Sequence, residues 1–313
     1  MYVMILNLAH ATATDIRVSG GKGSSLAKLS QAGLPVPPAV IIPTTAFEQF
    51  LKNSHLDRKI ATILEHVNYE DMRDIEQSAR SIQSLLADTP TPEVFQKEVH
   101  TSFATLRSST VAVRSSATAE DAATTSWAGE LETFLNIGTD ALIDSIVQCW
   151  ASLYSPRALL YRHTNNLDHI QISVAVVLQT MVESEVSGVC FTVHPVTNDS
   201  NQMIIEAGFG LGEAVVGGLI TPDLYIIEKS SRRIIEKTIN TQTLMVERSV
   251  EGTAEVSVPD ERQTLQKLSD EQIVTLARIC GNIEHLYQTP QDIEWTWARN
   301  QYYILQSRPI TTL

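Results

Sequence analysis

The stretch QDIEWTWARNQYYILQSRP, residues 291–309, constrains the fold of this chain more than any other. Apolar and aromatic residues alternate on both sides of a polar centre, so the stretch reads as two strands of a hairpin. A three-residue turn at Arg299 to Gln301 sets Glu294 opposite Gln306 and Asp292 opposite Arg308. The same register sets Trp295 opposite Leu305 and Trp297 opposite Tyr303, on the side that enters a core. The other side collects two carboxylates, an amide and a guanidinium within reach of one another. Hard oxygen donors suit Mg2+, and a planar guanidinium suits a phosphate. A slip of one residue would scatter this face, so the chemistry depends on strand parity. The plain alternative is a structural Asp292–Arg308 ion pair with Glu294 in solvent.

The remaining elements point to an α+β chain of two lobes. Leu26, Leu29 and Ala32 follow helical spacing with Gly33 as the stop, AVIIP is a short strand, and Thr45 with Glu48 reads as a capping box. Residues 56–107 have helical periodicity broken by Pro90 and Pro92, and residues 138–163 also read as helical. ISVAVVLQTMV is a continuous apolar run, hence a buried strand. Beyond it strands dominate, with one late helix at about residues 270–287 before the final hairpin. The expected boundary lies near residue 180, giving lobes 1–180 and 181–313.

Charge and cysteine usage exclude several function classes. A net charge of −13 repels phosphate and argues against nucleic acid or an anionic membrane as partner, so an anionic ligand needs a local basic pocket. Cys149, Cys190 and Cys280 lie far apart without a CxxC pair, as expected of core thiols in a reducing compartment. The apolar start MYVMILNLAH lacks a basic flank and reads as a strand rather than a leader. A cytoplasmic protein is expected.

Two segments offer that basic pocket. GGKGSS, residues 20–25, fails the Walker pattern because Gly23 follows Lys22 and Ile16 stands where the earlier glycine belongs. GFGLGE, residues 208–213, fails the dinucleotide fingerprint. Even so, Gly20, Gly21 and Gly23 allow close backbone approach, and Lys22 adds a point charge. In VAVRSSATAEDAATTSWAGELETF, Arg114 ends an apolar strand, where an unpaired charge is rare. Ser115, Ser116 and Thr118 bring hydroxyls, and Gly129 to Thr133 could fold over an anion.

With these strings in order, the chain resembles the ATP-grasp nucleotide-binding domain of the phosphoenolpyruvate synthase and pyruvate phosphate dikinase family, and most of all its rifamycin phosphotransferase branch. The likeness is carried by GGKGSSLAKL, VAVRSSATAED, WAGELETFLNI, CWASLYSPRALLYR, VVLQTMVESEVSGVCFTVHPVT, EAGFGLGEAVVGGLITPD and QDIEWTW…YYILQSRPIT. It implies two lobes with mixed or antiparallel sheets that close over ATP. It also implies that Lys22 and Arg114 hold ATP phosphates, that Gly129 and Thr133 belong to a covering loop, and that Arg308 contacts the terminal phosphates. Gln179, Met181 and Glu183, on a strand joining the lobes, would frame adenine and ribose. Glu294 and Gln306 would ligate Mg2+, and Glu213 is a weaker candidate for the metal or acceptor side.

The implied activity is dikinase-type phosphoryl transfer from ATP to a small-molecule acceptor, with Lys22, Arg114 and Arg308 as the catalytic cations. Relatives of this kind pass the phosphoryl group through a histidine on a swivelling domain. That glycine-rich signature surrounds none of the eight histidines here, and His194 in FTVHPVT reads as structural. The phosphohistidine carrier would then come from a longer chain or another protein. Two other readings are a stand-alone ATP-grasp kinase or ligase, and a non-catalytic ATP-binding regulatory module.

Overall fold

The computed structural model describes residues 4–118, 121–122, 125–126, 132–167, 172–250 and 252–311. The chain divides into two compact units: Met1–Lys28 with Pro38–Met181, and Leu29–Pro37 with Val182–Leu313. Helices and antiparallel sheets occur in both, an α+β architecture.

The first unit holds, in chain order, β1 (Leu6–Asn7), α1 (Ile16–Gln31, whose last three residues belong to the second unit), β2 (Ala39–Ile42), α2 (Thr44–Asn53), α3 (Leu56–Glu65), α4 (Met72–Ala87), α5 (Glu93–Thr105), β3 (Val111–Ala117), β4 (Asp121–Ala122), β5 (Thr125–Ser126), β6 (Thr133–Ile137), α6 (Leu142–Ser152), α7 (Pro156–Thr164) and β7 (Val174–Thr180). Five strands form one sheet in the order β1-β2-β7-β3-β6, and every neighbour pair is antiparallel. Alternation along the strands gives the sheet two unlike faces. Val40, Ile42, Val111, Val113, Val176 and Leu178 enter the core under the helices, where Trp150 meets the rings of Phe47, Phe50 and Phe95 at 5.2–5.6 Å. The opposite face carries Ala39, Ile41, Ala112, Arg114, Val177 and Gln179.

The expected capping box at Thr45 and Glu48 does not form. Helix α2 begins two residues earlier, at Thr44 after Pro43, with no side-chain cap. The Thr44 hydroxyl instead donates to the Arg17 carbonyl at 2.8 Å, a tertiary partner that the local sequence does not specify.

The second unit holds β8 (Val186–Phe191), β9 (Gln202–Phe209), α8 (Glu213–Val216), β10 (Asp223–Glu228), β11 (Arg233–Thr238), β12 (Leu244–Arg248), β13 (Thr253–Ser257), α9 (Asp270–Tyr287), β14 (Gln291–Ala298) and β15 (Gln301–Pro309). Six of these strands form an antiparallel sheet in the order β11-β10-β9-β8-β14-β15. Ile205, Ala207, Tyr225, Ile293, Trp295 and Ile304 pack with Ile273, Leu276, Cys280 and Ile283 of α9 on one face. A capping box at Ser269 and Gln272 starts α9.

The hairpin pairs Glu294 with Gln306 and Asp292 with Arg308. Its turn, however, is a two-residue one. Arg299 and Asn300 both adopt left-handed backbone, φ 52° and 60°, so the loop matches the twist of the flanking strands. Trp295 therefore sits opposite Ile304, and Trp297 opposite Tyr302, rather than Leu305 and Tyr303. A bulge at Leu305 absorbs the extra residue and restores the register from Gln306 onward.

Candidate functional site

The polar face of the first sheet is built around Ser116. Its hydroxyl donates to the Ser19 carbonyl at 2.8 Å and accepts from the Gly23 amide at 3.0 Å. This holds the start of α1 on the sheet. Helix α1 kinks at Gly20, φ 66° and ψ −178°, and a methyl group there would lie 1.9 Å from the Ser116 carbonyl oxygen. Only glycine fits that position. Two residues on, the Lys22 ammonium donates to the Ser115 carbonyl at 3.1 Å.

Arg114 lies on the same face, 8% exposed, and its Nη1 donates to Oε1 of Gln179 at 3.1 Å. Antiparallel pairing sets Thr133 directly opposite Arg114, on its side of the sheet. The hydroxyls expected to meet an anion are engaged within the fold. Ser115 donates to the Glu132 carbonyl at 2.7 Å and Thr118 to the Ser173 carbonyl at 3.3 Å. Gly129 lies outside the described residues.

Gln179 is on β7, but Met181 and Glu183 lie beyond its end at Thr180 and not on a common strand. Met181 donates its amide to the Thr110 carbonyl. Glu183, in the second unit, is exposed and meets Arg248 and Arg299, each at 3.3 Å. Glu213 begins the short α8 and accepts from the Thr253 hydroxyl at 2.9 Å. The His194 ring nitrogen accepts from the Val196 and Thr197 amides, so it caps a turn.

In the second unit, Asp292, Glu294, Gln306 and Arg308 share the sheet face that points away from α9. Arg308 sends Nε and Nη2 to one Asp292 oxygen at 2.9 and 2.8 Å. Burial pushes the Asp292 carboxyl up, and Arg308 pulls it back only in part. Glu294 stands directly opposite Gln306, which is 8% exposed. Beyond Glu294 the row continues through Val189 on β8 to Glu206 on β9. Glu206 is half-buried. Burial, then the Asp292 charge, raises its carboxyl above the ordinary range.

Glu206 was missed by sequence reasoning. Its signal was a lone acid inside the apolar strand QMIIEAGF. The end of this face is closed by hydroxyls: Ser184 and Ser187 both donate to the Gly210 carbonyl, at 2.7 and 2.6 Å, and Thr296 donates to Ser184 at 2.6 Å. The loop GFGLGE is thereby tied to the edge of the acidic face.

Among the described residues, no group of three or more His, Cys, Asp and Glu side chains forms a metal cage. The donor set still fits Mg2+. That ion keeps several waters and takes one or two protein oxygens plus ligand phosphates rather than a full protein cage. Glu294 and Gln306 offer one carboxylate and one amide oxygen on neighbouring strands. Among the described residues, no helix is long and apolar enough to cross a membrane.

Residues 16–313 match the family described as pyruvate phosphate dikinase, AMP/ATP-binding domain. A probable phosphoenolpyruvate synthase of Methanothermobacter thermautotrophicus is 39% identical over 306 residues, covering 96% of this chain and 45% of the relative. A phosphoenolpyruvate synthase of Pyrococcus furiosus is 37% identical over 347 residues, with coverage of 96% and 42%. A rifampicin phosphotransferase of Bacillus subtilis is 38% identical over 317 residues, with coverage of 100% and 36%. The chain thus spans less than half the length of each of these relatives.

Proposed function

The chain belongs to the pyruvate phosphate dikinase AMP/ATP-binding domain family, and from that premise we propose that it binds Mg2+ and ATP as the ATP-grasp part of a dikinase-type phosphotransferase. The observation that carries the reading is the Glu294–Gln306 pair, fixed opposite each other on one sheet face with Arg308 two residues away. Each unit by itself offers one half of what a metal–triphosphate needs. Lys22 and Arg114 supply positive charge for phosphates, with Thr133 beside Arg114 and Gln179 orienting the guanidinium. Gln179, Met181 and Glu183 bound the nucleoside end in this reading. Gly129 would belong with Thr133 to the loop over the phosphates.

Phosphoryl transfer asks little covalent chemistry of a protein and much positioning and charge neutralisation. Mg2+ held by Glu294 and Gln306 would neutralise charge on the phosphate oxygens. Lys22 and Arg114 in the first unit would neutralise charge on phosphoryl groups, and Arg308 in the second would do so beside the metal ligands. Asp292 keeps the Arg308 guanidinium in one orientation. The acceptor is a small molecule reached through a carrier histidine on a separate domain.

Chromatographic analysis of nucleotide products tests this. The intact chain with Mg·ATP is expected to form AMP only when a histidine-bearing carrier domain from a relative is added. ADP formed with a small acceptor and no carrier would replace the dikinase reading with direct kinase activity.

A further inference from the structure

The face bearing Glu294 has more negative charge than one cation ligand requires. Asp292 is matched by Arg308, with both bonds to one carboxylate oxygen. Glu294 has the metal role. Glu206 has no counterpart: among the described residues no side chain or amide donates to its carboxylate. Other half-buried acids of the unit do have partners: Glu284 meets Lys229 at 2.8 Å, and Glu228 accepts from the Ser231 hydroxyl.

Strand register fixes where Glu206 faces. Gln306, Glu294, Val189 and Glu206 stand side by side on β15, β14, β8 and β9, so all four side chains leave the same face. Glu206 is two strands from Glu294, roughly 10 Å across the sheet. The residue between them is Val189, 9% exposed, which offers no charge to screen one carboxylate from the other. A partly buried carboxylate without a partner has a desolvation cost and no compensating bond. Beside a polyanion it also repels.

We propose that Glu206 is the residue that makes this site select a metal-loaded triphosphate over a metal-free one. The proposal rests on the nucleotide reading above. A triphosphate without metal brings its full negative charge against Glu206 and Glu294 together. A bound dication cancels about half of that charge, at the phosphate oxygens it binds, and Glu294 then becomes an attraction. Glu206 remains as the penalty that only a neutralised phosphate end escapes. A lone pair of ligands sets affinity for the metal complex; the uncompensated acid sets the preference.

Titration calorimetry on the intact chain decides the matter, with ATP in excess MgCl2, ATP in EDTA, and AMP as probes. Glu206→Gln keeps size and removes the charge. It is expected to raise affinity for metal-free ATP about five- to tenfold, from one unit charge acting through a screened protein surface. Mg·ATP should change by less than about twofold, and AMP not at all. Glu206→Asp should keep the wild-type preference. An unchanged preference in Glu206→Gln overturns the proposal, as does an equal loss of affinity for all three nucleotides, the mark of a structural role. A wild-type chain that binds neither Mg·ATP nor AMP overturns the nucleotide reading itself. That outcome is distinct from a wild type that binds both and a Glu206→Gln variant that matches it.

Discussion

The two sheets of this protein follow one recipe with opposite charge. Each packs one face into an apolar core with helices and gathers polar groups on the other. On the first sheet those groups are Arg114 and the amide of Gln179, with Lys22 reaching the same strand from α1. In the second they are Asp292, Glu294 and Glu206, with Arg308 tied to Asp292. The alternation of side chains along the strands produced both faces. A handful of residues then decided which face would welcome an anion and which a cation. The supports also differ. Lys22 depends on a kinked helix pinned by one serine, whereas every member of the acidic row stands on a strand and inherits its aim from ladder bonds.

That difference can be broken residue by residue. Glu294→Ala has the largest expected effect, loss of nearly all Mg2+-dependent turnover with an unchanged melting curve and circular dichroism spectrum. Normal turnover in that variant removes the metal assignment. Gly20→Ala should act on the first unit alone. Its methyl group meets the Ser116 carbonyl, so stability should fall by at least about 1–3 kcal/mol by denaturant titration. A Gly20→Ala protein as stable as wild type would show that the kink is not required.

Lys22→Ala and Arg114→Ala should each weaken triphosphate binding by about 1.5–3 kcal/mol, as for a lost charge-assisted hydrogen bond. Calorimetry with and without Mg2+ sharpens the contrast. The basic-face variants should lose affinity for ATP in both conditions, and the Glu294 variant only when metal is present. An Arg114 variant affected only in Mg2+ would blur the two faces into one role. Asp292→Asn should cost about 1 kcal/mol of stability, because the Arg308 pair is partly exposed. Ser116→Ala should cost a similar or smaller amount, about 0.5–1.5 kcal/mol, by releasing the Gly23 amide. Unaltered stability in Ser116→Ala would show that the start of α1 is held by packing instead.

Much of the site was written in the chain. The Asp292–Arg308 and Glu294–Gln306 pairs were legible because side chains in strands alternate with a period of two. The turn was not. Arg299 and Asn300 both take left-handed backbone without a glycine to announce it, so the loop was read one residue too long. The bulge at Leu305 offset that error beyond Gln306, while the aromatic partners nearer the turn came out shifted. The cap of α2 and the engaged hydroxyls of Ser115, Ser116 and Thr118 failed for a common reason. Their partners, Arg17, Glu132, Ser19 and Ser173, come from elsewhere in the chain.

Sequence alone determined which residue types could meet phosphate and metal, and which strands would present them, since both follow from side-chain chemistry and local periodicity. Strand order was a tertiary decision. It put β8 between β9 and β14, and so brought Glu206 into line with Glu294 across a gap of 88 residues in the chain. No local rule holds that information, because the order in which strands pair is set by how whole layers bury their apolar faces.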